Sequence, residues 1–122
     1  MTLAELRIAA LQEAGILASG ESAEPEDDQL CATKYLTLHD MLLTEGLVSW
    51  SATDDVPEYA EQSLTAMLAA LIAPAFGVSG QRLADLRVAG SIGLPQPSIA
   101  ERTLRRQLAK HYVSHPVKTD YF

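Results

Sequence analysis

His111 and His115 stand four residues apart, a spacing that on a helix turns two imidazoles to one face, as a metal site requires. Pro116 opposes helix at His115 and no third ligand lies nearby in sequence, so the pair is not read as a metal centre. His39 falls among apolar residues and reads as a structural or surface histidine. The carboxylates Glu24, Glu26, Asp27 and Asp28 lack calcium-loop spacing and better suit the positive start of a helix. Cys31 is the single cysteine, which excludes an internal disulfide and a cysteine-based zinc site. No Gly-x-Ser-x-Gly elbow, phosphate-binding loop or dinucleotide fingerprint occurs. These residues point to no enzyme, no metal and no cofactor.

A stripe of cations is the stronger candidate. Arg102, Arg106 and Lys110 repeat at i, i+4, i+8, with Arg105 beside them. On a helix this arrangement can follow nucleic-acid phosphates or meet an acidic protein surface. The plainer reading is a solvated face, with Glu101 pairing to Arg105 one turn away. Neither an aromatic platform nor a helix-turn-helix spacing supports sequence-specific reading of DNA.

The elements that must position these residues are helical. Residues 62–81 carry no charged side chain. Within them Leu64, Met67, Leu68, Leu71, Ile72, Ala75 and Phe76 form an i, i+3, i+4, i+7 stripe. The opposite side holds Ala66, Ala69, Ala70 and Ala73 where lysines and glutamates are expected. A helix apolar on one face and smooth on the other is close to surrounded, by its own domain or by copies of itself. The four alanines are accordingly a candidate self-association face. A membrane span is not expected: the strongly apolar run, 64–76, is shorter than the roughly 20 residues a bilayer requires, and Pro74 interrupts it.

Thr2-Leu3-Ala4-Glu5 is a capping box opening a helix with Leu3, Leu6, Ala10 and Ala14 on one side, stopped at Gly15. A second helix starts near Glu26, buries Cys31, Tyr35, Leu38 and Leu42, and ends at Gly46. Leu47–Thr53, with Trp50, is short and apolar enough for an extended segment. Pro57 turns into the central helix, which Pro74 kinks or finishes. Ser79 is placed to cap a fourth helix through about Val88, with Leu83, Leu86 and Val88 inward. Gly90–Pro97 is a loop or hinge, and Ser98-Ile99-Ala100-Glu101 is a second capping box opening a helix to about His111. Tyr112–Phe122 has no helical period but keeps Tyr112, Val113, Val117, Tyr121 and Phe122. An apolar-rich end of this kind either orders against a partner or frays.

The expected fold is therefore all-α, a small bundle of four to five helices with a C-terminal helix and extended tail: residues 1–90 form the helical bundle domain, and 91–122 a hinge, basic helix and C-terminal docking arm. A signal peptide is not expected at the start of the chain, because Thr2–Gly15 reads directly as an amphipathic helix. The net charge of −7 is uneven. Residues 1–61 hold 2 basic and 13 acidic side chains, a net of −11, and residues 62–122 hold 7 and 3, a net of +4. Such asymmetry suits head-to-tail contact between copies, or an acidic partner for the C-terminal part.

Several features occur together in one known family. A first helix ends Glu13-Ala14-Gly15-Ile16, an acidic start leads to a second finishing Met41-Leu42-Leu43 and Gly46-Leu47, and a Trp-bearing segment and Pro57 turn follow. The next helix closes as Leu68-Ala69-Ala70-Leu71-Ile72-Ala73-Pro74-Ala75-Phe76-Gly77. Over most of residues 1–90 this order resembles the head-to-tail adaptor proteins of tailed bacteriophages and gene transfer agents, also called head-completion or packaged-DNA-stabilisation proteins. The resemblance implies a virion subunit, assembled in the host cytoplasm, that forms a ring, usually dodecameric, beneath the portal protein. Packaged DNA passes through or stops at that ring without sequence-specific contact, and a downstream tail or nozzle protein binds below. It also implies that Ile99–Phe122 reaches the portal. On that basis Arg102, Arg105, Arg106, Lys110, Tyr112, Val117, Tyr121 and Phe122 are candidate partner-binding residues. The alternative is a small helical DNA-binding or regulatory protein using the 102–110 stripe.

Overall fold

In a computed structural model of the protein, residues 1–113 are described, with side chains through Lys110. Five α-helices follow one another: α1 (Leu3–Glu13), α2 (Pro25–Thr44), α3 (Glu61–Ile72), α4 (Gly80–Gly90) and α5 (Ile99–Val113). Short 3-10 turns at Glu58–Ala60 and Ala73–Phe76 flank α3, and no strand occurs among the described residues. The fold is all-α, a small helical bundle.

The first helix begins as its sequence dictates. The Thr2 hydroxyl accepts from the Glu5 amide at 3.1 Å, and the Glu5 carboxylate accepts from the Thr2 amide at 2.8 Å. At its far end Gly15 takes φ +79° and the Ile16 amide returns to the Leu11 carbonyl at 2.9 Å. Arg82 of α4 lies over that turn, its Nε donating to the Ala14 carbonyl at 3.4 Å, so a cation from 68 positions along the chain serves the helix C-terminus. Pro25 opens α2 with Glu26, Asp27 and Asp28 in the first turn. Asp28 also accepts from Arg7 at 2.8 Å and ties α2 to α1.

Every other helix packs on α3. Leu64, Met67, Leu68 and Ile72 are wholly buried there, against Leu6 and Leu11 of α1, Leu38 and Leu42 of α2, and Leu104 of α5 in one continuous core. The stripe does not hold to Phe76, however. Pro74 cannot donate to the helical ladder, the chain tightens into a 3-10 turn, and the phase change leaves Ala75 exposed and Phe76 half-buried.

Other expectations are corrected. Leu47–Thr53 is irregular rather than extended, although Leu47 and Val48 are buried. Ser79 precedes α4 but its side chain makes no capping bond, and Val88 is 63% exposed rather than inward. Gly90 closes α4 rather than opening a loop. It is buried so tightly that a Cβ there would overlap the Ala66 carbonyl and stand 2.9 Å from the Met67 nitrogen. Finally, the basic helix is not separate from the bundle: α5 packs on α3 and α4, with Ala100 and Leu104 in the core, while the docking arm beyond residue 113 lies outside the described residues. The apolar face of the first two turns of α5 joins it to the bundle.

Candidate partner-binding surface

Ser98 opens α5, its hydroxyl accepting from the Glu101 amide at 3.1 Å. Only half of the expected box forms, because the Glu101 carboxylate turns along the helix to Arg105 instead. It accepts from the guanidinium Nε at 3.1 Å and from a terminal nitrogen at 3.0 Å. Arg105 also reaches Glu45 of the α2 terminus at 3.4 Å. Of the four cations expected to meet a partner, Arg105 is therefore committed to the chain's own carboxylates.

Arg102, Arg106 and Lys110 behave differently. All three are exposed and make no ion pair among the described residues. Leu104 is the last fully buried residue described in α5; Arg106 and Lys110 follow it, and Arg102 lies before it on the exposed side of the helix. They form one face because 3.6 residues per turn brings every fourth residue back with a small advance. The side chain of Tyr112, and Val117, Tyr121, Phe122 and His115, lie outside the described residues.

The alanine face has another fate. Ala69 and Ala73 are fully buried, Ala70 is 7% exposed and Ala66 is half-buried, all within a single chain. Their small side chains admit helices of the same bundle, as the Gly90–Ala66 approach illustrates. Of the expected self-association face, Ala69, Ala70 and Ala73 are covered by the subunit's own fold, and Ala66 alone keeps partial exposure.

Two depressions mark other parts of the surface. One, of about 740 Å³, runs along α5 at Thr103 and has Glu13, Glu58 and Glu61 on its walls. Here the Met1 ammonium donates to Glu61 at 2.9 Å and to the Val56 carbonyl at 3.1 Å; the Glu61 hydrogen bond holds the ammonium above the usual amine range. The other is an apolar groove of about 290 Å³ between α2, α3 and the end of α4. Its walls come from three separate stretches of sequence, so no local pattern announces it. Along the chain its one trace is Leu94, apolar yet exposed.

Groups with latent chemistry prove structural. Cys31 is buried, and desolvation pushes its thiol up to about 11. His39 is buried, its Nε2 hydrogen-bonded at 2.7 Å to the Trp50 carbonyl. Trp50 in turn donates from Nε1 to the Tyr35 hydroxyl at 3.3 Å and sets its ring edge-on to Tyr59. The same residues thus fix the irregular 47–56 segment onto α2. Among the described residues, no group of three His, Cys, Asp or Glu could hold a metal ion, and no helix is long and apolar enough to cross a membrane. No family model, curated protein or solved structure matches the chain.

Proposed function

We propose that the protein is a structural subunit joining two parts of a larger particle: a head-to-tail adaptor that forms a ring beneath the portal and helps retain packaged DNA. The observation that carries this reading is the division of labour within α5. Its first turns complete the bundle through Ala100 and Leu104, while Arg102, Arg106 and Lys110 on the other side of the helix are exposed and make no ion pair among the described residues. A core sufficient for one subunit, with a cationic helix face left over, suits a component whose partners supply the anions. The ordered resemblance over residues 1–90, closing at Leu68–Gly77, adds the kind of particle. In this reading the acidic partner is the portal, the tail or nozzle protein binds below, the channel admits DNA, and the role is not catalytic.

Electron microscopy of particles labelled for this protein, with native mass measurement of the purified chain, tests it. A label at one capsid vertex and a ring-sized mass support the adaptor. Particles without label, together with a chain that never assembles, overturn it. The same exposed stripe favours one other reading, a small DNA-binding protein. Dimer mass with salt-sensitive DNA affinity would select that one.

A further inference from the structure

The apolar groove differs from the rest of the surface in two ways. Met41, Met67, Leu71, Pro74 and Leu94 line a depression of about 290 Å³, and Leu94 is 54% exposed at its rim. Arg87 is the one charged residue in the lining; it is exposed and has no ion pair among the described residues. Two flexible thioethers in the walls allow the groove to adapt to a ring. An apolar hollow with one cation at its edge selects an apolar group carrying a carboxylate beside it.

The chain itself contains such a group. Asp120 is the only acidic residue among residues 114–122, and Tyr121 and Phe122 follow it directly. We propose that the groove receives the Asp120-Tyr121-Phe122 segment of a second copy of this chain, the aromatic rings among Met41, Leu71 and Leu94 and the Asp120 carboxylate on Arg87. Groove and segment are different surfaces, so the contact is head-to-tail; repeated with a fixed rotation, it closes into a ring. The choice of a neighbour over the same chain rests on the ring reading above, in which copies lie side by side. Residues 114–119 give the segment a tether of about 20 Å when extended, enough to cross between adjoining subunits of this size.

Disulfide trapping on the full chain tests this. Isotopically labelled Leu94→Cys protein is mixed with unlabelled Phe122→Cys protein, oxidised mildly, and the linked peptides are identified by mass. Cys31 stays in place, since it is buried. A mixed-label Leu94–Phe122 pair is expected to dominate. Val88→Cys, exposed on α4 but outside the groove, is expected to pair only at background level. Arg87→Asp should lower the yield of the mixed pair about tenfold, and Asp120→Arg in the partner protein should restore it. Absence of the mixed pair, equal trapping by Val88→Cys, indifference to Arg87→Asp, or a Leu94→Cys/Phe122→Cys double variant linking solely within one chain would each overturn the proposal. Particles that still carry a labelled ring in any of those cases would leave the adaptor reading intact.

Discussion

Gly90 and Ala66 bring α4 and α3 into backbone contact. A methyl group on Gly90 would occupy the space of the Ala66 carbonyl, and neither backbone can move without disturbing a helix. Gly90 has no left-handed backbone, so its requirement is for space alone. Gly90→Ala, ordinarily favourable in a helix, is expected to destabilise the protein by about 1–3 kcal/mol, as overpacking does. Urea unfolding of the variant gives the number, and an unchanged midpoint would mean that the two helices are free to separate.

The buried face of α3 sets a second expectation. Leu68→Ala should cost about 2–5 kcal/mol, as removal of a buried leucine does. Ala75→Ser, on the exposed side of the 3-10 turn, should leave the thermal midpoint nearly unchanged. Ala69→Glu should prevent folding of the single subunit, because Ala69 is fully buried inside it. A folded, monomeric Ala69→Glu protein would restore that alanine to an interface between copies.

Arginines one position apart should separate by readout. Arg105→Ala removes the partner of a nearly buried Glu101 and should lower stability by about 1 kcal/mol. Arg106→Ala should leave stability unchanged and weaken partner attachment. If the partner is DNA, three phosphate contacts from Arg102, Arg106 and Lys110 give a slope of log affinity on log salt near about −2.7. A slope near zero would assign the stripe to a protein surface or to solvent.

Stability should depend on pH at both margins. Hydrogen bonds from the Thr2 backbone and hydroxyl hold the Glu5 carboxyl below its ordinary value, so its contribution is present above the ordinary carboxylate range and is lost as pH falls through the lowered value. The raised Met1 ammonium contributes below the ordinary amine value and loses that contribution as pH rises through the raised one. Thr2→Ala should flatten the acid limb, and acetylation of the Met1 amine the alkaline limb, of a plot of unfolding midpoint against pH.

Cys31 offers a probe of opening. With the thiol buried and raised to about 11, its reaction with a disulfide reagent at pH 8 should be slow and should follow the unfolding equilibrium across a urea series. Rapid reaction in native buffer would show that α1 and α2 part locally.

What could be read along the chain was local. The Thr2–Glu5 box, the acidic opening of α2, the turn at Gly15 and the apolar period from Leu64 to Ile72 depend on neighbours within a turn or two, and all are present. What escaped reading depends on distant partners. Whether Ala69 meets another helix of its own chain or of a second copy is decided by where α1 and α4 fall, not by the alanine pattern. Glu101 had two bonding options of similar geometry, and Arg105 with the nearby Glu45 drew it away from its own helix start. Arg82 at the end of α1 and the apolar groove, built from three stretches, have no counterpart in local spacing. The stripe of Arg102, Arg106 and Lys110 was legible because helical period alone aligns it. The Glu101–Arg105 pair was legible for the same reason; the second partner of Arg105, Glu45, was not, because it comes from the far end of α2.

The position of α3 bears on how the protein is made. It is the scaffold for the other four helices, yet it lies in the middle of the chain. A ribosome delivers α1 and α2 first, with Leu6, Leu11, Leu38 and Leu42 still lacking the surface that will cover them. These helices make few contacts with each other compared with those they make with α3, so the early intermediate is held mainly by the Arg7–Asp28 pair and local structure. Residues through Ile72 must clear the exit tunnel before a core can form. At roughly 5–20 residues per second, that leaves a window of seconds in which the nascent chain offers its greasy side to a chaperone.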